Sequence, residues 1–178
     1  LASGGFSLEI YENYKFKKPL VIYNNFSSSL KETIINYKNS ITINENSELN
    51  LINYIDNSSK ENFMVNAIDN IKMKKNSSLN NILINNSKCN GYFYKYVKSD
   101  LEKNSNLENY LISSGLKFNK LDIEINLNEE HAKSSVFSAL NLVNDEHQEI
   151  KTCINHHAPN CQSYQKVKNV LNDESKGV

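Results

Sequence analysis

The chain has 178 residues, with 20 basic against 20 acidic side chains and a formal net charge of zero. That length can bury the core of one domain. The charge balance excludes a surface built for phosphate backbones, where a basic excess supplies most of the affinity. No apolar run approaches the ~20 residues of a membrane-spanning helix. Neither nucleic acid nor a membrane is expected as a partner. Every basic residue is lysine, and Lys72, Lys74 and Lys75 read as a solvated face. Asparagine is so frequent that the glycosylation-like triplets at Asn25, Asn57, Asn76 and Asn85 follow from composition alone. The three cysteines, Cys89, Cys153 and Cys161, are too sparse for a disulfide framework and fit a reducing compartment such as the cytoplasm. The chain starts at Leu1 without methionine and stops at Gly177-Val178 within an apolar pattern, so it reads as an internal piece of a longer protein.

In chain order, residues 6–11 alternate apolar and polar, the period-two signature of a half-buried strand. Lys18-Pro19 interrupts it and Leu20–Tyr23 resumes as a short strand. A unit of strand, polar turn and second strand then recurs over residues 41–51, 71–84, 97–110 and, less regularly, 123–136. The turn centres fall at 46, 76, 104 and 131, a spacing of 27 to 30 residues. Fixed spacing of one supersecondary unit marks a solenoid. No apolar stripe at helical spacing runs through the units, which argues against helix-containing repeats. Asn tolerates positive φ, so Asn46, Asn76 and Asn104 can turn each coil in a chain with only 5 glycines. A sandwich of hairpins is the alternative, but the chain has a single Asn-Gly pair, Asn90-Gly91, and no Asp-Gly, too few to turn a series of hairpins. The expected fold is therefore all-β, a β-solenoid. Its inward set is Ile41, Ile43, Leu49, Leu51, Ile71, Met73, Leu79, Ile123, Ile125 and Leu127.

Chemistry-bearing residues concentrate in the last part of the chain. Cys153, His156, His157 and Cys161 resemble a metal-ligand cluster, but a tetrahedral site gathers paired ligands from two segments, and the second pair is missing. On an extended segment His156 also points opposite to Cys153. His156 and Cys161 are the residual metal candidates, with a structural thiol and imidazole as the plainer reading. His131 and His147 stand beside Glu129, Glu130, Asp145 and Glu146, residues that also suit ordinary turns. Phosphate-binding glycine loops and a nucleophile elbow are absent from the sequence. Tyrosines such as Tyr92, Tyr94 and Tyr96 read as packing residues.

The segment His147, Thr152, His156, Cys161, Ser163, Gln165, Lys168, Val170-Leu171 and Gly177-Val178 resembles the SufB/SufD family of iron–sulfur cluster assembly scaffold proteins. The order His, Cys, Ser, Gln, Lys, apolar pair, Gly-Val is the family pattern, and the run from His156 to Cys161 is closer to the SufD branch. The chain departs from the pattern with Tyr164 in place of a basic residue and Asn169 in place of glycine. The resemblance implies a right-handed parallel β-helix truncated at both ends. Residues 1–178 would be a partial SufD-like core domain, without the family's N-terminal and C-terminal helical regions. It further implies a non-catalytic scaffold subunit, in the cytoplasm or a plastid stroma, whose partners are a SufB-like subunit and a SufC-like ATPase. A homodimer stays open. The fragment alone would hold no cofactor, and a transient iron–sulfur cluster would form in the assembled complex. The competing readings are a SufB-like subunit and a carbohydrate-active enzyme on a β-helix. The enzyme needs grouped carboxylates, whereas the acids here are dispersed.

Overall fold

The computed structural model describes residues 2, 4–26, 30–57, 59 and 61–178, with the side chains of 57 and 87–89 excepted. The Cys89 side chain and parts of the triplets at Asn25 and Asn57 therefore lie outside the described residues. Period-two alternation produces strands throughout: β1 (Ser7–Ile10), β2 (Leu20–Phe26), β3 (Thr33–Ile43), β4 (Glu48–Asn57), β5 (Phe63–Met73), β6 (Ser78–Leu101), β7 (Asn106–Leu127), β8 (Lys133–Leu142), β9 (His147–His156), β10 (Gln162–Leu171) and β11 (Lys176–Gly177). Every strand pairing is parallel. One wall is β1, β3, β5, the second half of β6, the second half of β7, β9 and β11. The other is β2, β4, the first halves of β6 and β7, β8 and β10. β6 and β7 each continue from one wall to the other, and their mutual register shifts between Asn86 and Cys89 and again between Cys89 and Tyr92. The result is an all-β solenoid of about six turns.

Register carries the core. Ile10, Ile43, Met73, Leu101 and Leu127 stack as one column on the first wall, all buried. Leu49, Leu79 and Leu107 form the facing column. All ten residues expected to face inward are buried. Burying each large aliphatic side chain contributes about 1.5–3 kcal/mol. A second cluster fills the far corner, where the Phe26, Phe63 and Phe93 rings meet at 5.4 to 5.9 Å.

The near corner repeats most faithfully. Asn13, Asn46, Asn76, Asn104, His131 and Asn160 all have φ between 56° and 63°, the left-handed region in which Asn is well tolerated. The four expected turn centres are thus real, although the fourth is built on His131. Asn side chains stack along this corner: Asn76 Nδ2 donates to Asn46 Oδ1 at 2.9 Å, and Asn104 Nδ2 to Asn76 Oδ1 at 3.0 Å. The residue after four of these corners is small and tucked inward: Ser47, Ser77, Ser105 and Ala132 are all buried. The Ser77 and Ser105 hydroxyls donate to the carbonyls of Lys74 and Glu102, both at 2.6 Å. Asn-Ser is therefore the local signature that ends one coil and begins the next.

Candidate functional site in the last coil

The residues singled out by the sequence gather on β9, β10 and the corner between them. Register fixes their direction. Thr152 continues the inward column of Asn39, Asp69, Val97 and Ile123, and His156 continues that of Met73, Leu101 and Leu127. Opposite them, Ser163 follows Leu107 and Ser134, while Gln165 follows Asn109 and Val136. Most of the residues before them in these columns are aliphatic, whereas here all four are polar and pair across the open end of the stack, with His156, Ser163 and Gln165 exposed. The Thr152 hydroxyl donates to Gln165 Oε1, and His156 Nε2 lies 3.0 Å from Ser163 Oγ. The two walls of this coil are thus tied by two side-chain bridges where earlier coils rely on apolar packing.

Cys161 follows the corner residue Asn160, so it takes the place of Ser47, Ser77, Ser105 and Ala132 in the coils before it. Its Sγ lies 3.2 Å from the Glu129 carbonyl of the preceding coil, and its side chain packs against the main core cluster. A thiol suits that place because it is small and weakly polar. Cys153 instead faces outward in register with Glu124 and is exposed. The sequence cluster of Cys153, His156, His157 and Cys161 is therefore split between the two faces of the wall. Among the described residues no three His, Cys, Asp or Glu side chains converge to hold a metal ion.

The remaining motif residues have local partners. The His147 ring meets Phe118 edge-on at 5.2 Å, with its Nε2 3.4 Å from Glu149 Oε1. Lys168 is exposed on β10. Gly177 pairs with Gln148, and a Cβ there would approach Asn169 Nδ2 to 3.1 Å, so Asn169 presses on the glycine. Tyr164 lies 5.8 Å from the Phe137 ring, in a run on the outer face that continues to Tyr110 at 5.0 Å. Of the acids beside His131 and His147, Glu146 is buried and its Oε2 accepts from the amides of Gly115 and Val143 at 3.3 and 3.1 Å. Glu129 accepts from the Lys103 amide at 3.0 Å, and Glu130 pairs with the Lys103 ammonium at 3.3 Å. These carboxylates serve turns and coil-to-coil contacts.

Sequence reasoning missed an interior ionic group. Asp69 and Lys95 face inward on adjacent strands, with Lys95 Nζ 2.6 Å from Asp69 Oδ2 and side chains only 12 % and 4 % exposed for Lys95 and Asp69. Asn39 Nδ2 donates to Asp69 Oδ1 at 2.8 Å, and Asn39 Oδ1 accepts from the Phe6 amide at 3.2 Å. Burial pulls the Lys95 ammonium toward neutrality. The Asp69 and Tyr37 charges and the hydrogen bond to Asp69 outweigh it, leaving the group above the ordinary lysine value. Burial, more than the neighbouring charges, raises the Tyr37 phenol. Alternation in β5 carried the signal, because Asp69 falls in the same inward series as Val65, Ala67 and Ile71.

The family model described as the SufBD core domain of SUF system FeS cluster assembly matches residues 25–178. No curated protein matches the chain.

Proposed function

Because the chain belongs to the SufBD core-domain family of the SUF iron–sulfur cluster assembly system, we propose that it is a SufD-like scaffold subunit that performs no reaction itself. In this reading it supports cluster assembly beside a SufB-like subunit, under the control of a SufC-like ATPase that engages helical regions outside the solenoid. The iron–sulfur cluster is cargo of that complex and not a resident group of this core domain. The compartment is the cytoplasm, or the stroma of a plastid.

The observation that carries this reading is the direction of the motif side chains. Thr152, His156, Ser163 and Gln165 point into the coil and bond one another, and Cys161 fills a corner. A motif spent on the shape of a coil supports a scaffold. Inward-facing residues also leave the sheet edges, with their unpaired N–H and C=O groups, as the natural place for a second subunit.

The test is Cys161→Ala in the full-length protein, followed by co-purification with the ATPase subunit and by cluster formation in the assembled complex. Alanine already occupies the equivalent corner at Ala132. The expected result is therefore at most about 1 kcal/mol of lost stability, with retained subunit association and normal cluster formation. Intact folding and association with lost cluster formation would make Cys161 a working thiol and refute the structural assignment. Failure to co-purify with the ATPase would refute the scaffold reading.

A further inference from the structure

Between the two walls, the solenoid interior contains a seam of asparagines that stops abruptly. Asn53 Nδ2 donates to Asn81 Oδ1 at 3.2 Å, and Asn81 Nδ2 donates to Asn109 Oδ1 at 3.0 Å. Each amide hands its donor to the next coil. The series ends on Asn109 Nδ2, which is buried and has no hydrogen-bond partner among the described residues. In the coil that follows, Ser138 Oγ is buried and unpaired as well.

Register explains the break. Asn53 is aligned with Leu83, and Asn81 with Leu51, so the first link crosses a diagonal of the sheet. Two amide side chains are long enough to close it directly. Asn109 is aligned with Val136, and Ser138 with Leu111, so these two also stand on a diagonal, slanting the opposite way, two coils after the first link. The hydroxymethyl group of serine is shorter than the amide of asparagine, and no direct hydrogen bond joins Ser138 to Asn109. A cavity of about 30 Å³ takes in both side chains, and its lining also includes Asn53, Asn81, Lys95 and Val136.

We propose that this cavity is a binding site for one ordered water molecule that accepts from Asn109 Nδ2 and hydrogen-bonds Ser138 Oγ. The volume exceeds the ~10–15 Å³ that a single water needs, and a buried water requires at least two polar partners. A larger ligand does not fit. The water completes the seam, so that the run from Asn53 reaches the coil of Ser138 with its buried amides and hydroxyl satisfied. An apolar lining alone would keep such a cavity dry; the two polar groups set it apart.

Ser138→Ala decides the matter by the sign of its effect on stability, measured by urea unfolding. If water bridges the two groups, the substitution removes one anchor and leaves the Asn109 amide poorly satisfied. The folding equilibrium constant then falls by about fivefold or more. In a dry cavity the same substitution deletes an unpaired buried hydroxyl, and the constant stays level or rises. Either of those results overturns the proposal. A high-resolution crystal structure of the parent protein gives an independent reading. One solvent peak within 3.2 Å of both Asn109 Nδ2 and Ser138 Oγ is expected. Continuous apolar packing there, or a Ser138 hydroxyl turned onto a main-chain carbonyl, would refute the site.

Discussion

Replacing Asp69 with alanine leaves the Lys95 ammonium in the solenoid interior without its counter-charge. The pair is 2.6 Å apart and both side chains are nearly buried, so water replaces the lost carboxylate only poorly. Removing one partner of a buried pair costs about 3–5 kcal/mol. Asn39 Nδ2 also loses its acceptor at 2.8 Å, which adds to the loss by about 1 kcal/mol. Against a total stability on the order of 5–15 kcal/mol for a domain, Asp69→Ala should lie close to unfolding. The paired replacement Asp69→Leu with Lys95→Met behaves differently, because two apolar groups of similar volume need no counter-charge. It is expected within ~1–2 kcal/mol of the parent, on either side. Urea unfolding of the parent, Asp69→Leu, Lys95→Met and the double closes a double-mutant cycle, with an expected coupling of at least ~2 kcal/mol. The pH dependence has a definite sign. Lys95 holds its proton more tightly folded than unfolded, so the pair contributes fully below pH 10.5 and is lost as pH rises through the higher folded-state value. A cost below ~1 kcal/mol for Asp69→Ala would refute this reasoning, as would a double variant no more stable than Asp69→Ala.

His131→Asn should stabilise the protein by about 0.5–1 kcal/mol, since Asn suits a φ of 61° and can join the corner column between Asn104 and Asn160. A lowered thermal midpoint would show that the imidazole contributes something the corner geometry does not reveal. Tyr96 should ionise late. Its hydroxyl bonds Glu124 Oε2, and that hydrogen bond, before burial and nearby charges, pushes the phenol up to about 12. In ultraviolet titration, Tyr96→Phe should lack one late-ionising phenolate that the parent shows. Because the folded state keeps this proton where an unfolded tyrosine has lost it, the contribution to stability should decline between pH 10 and 12. A Tyr96 titrating near 10 would contradict the hydrogen bond.

The near corner was legible from the chain because its cause is local. Asn at positive φ followed by a small inward residue occurs at Asn46-Ser47, Asn76-Ser77 and Asn104-Ser105, and each pair does the same task. The same rule, seen only with coordinates, places Ala132 and Cys161 in that series, although the preceding residues are His131 and Asn160. The interior apolar set was legible for a similar reason, since parity along a strand fixes its face. Contacts between coils were harder to read. Lys95 meets Asp69 because the register between β5 and β6 sets it opposite Ala67, one inward position from Asp69, and the register varies from 26 to 33 residues from coil to coil. The pairs Thr152–Gln165 and His156–Ser163 join opposite walls, a relation that spacing along one segment does not encode. The motif was visible as a list of residues, while its inward direction came from its place at the end of two columns.

The corner asparagines give the stack a sense of direction. Asn46 reaches toward Asn13, Asn76 toward Asn46 and Asn104 toward Asn76, always with the amide nitrogen offered back to an earlier oxygen. An incoming turn of chain therefore meets an acceptor already oriented by its predecessor and inherits its alignment instead of finding it anew. A slip by one residue would rotate a whole inward row to solvent, and it would also unhook this column. Misalignment is thus opposed twice, once by oil and once by a hinge line of amides.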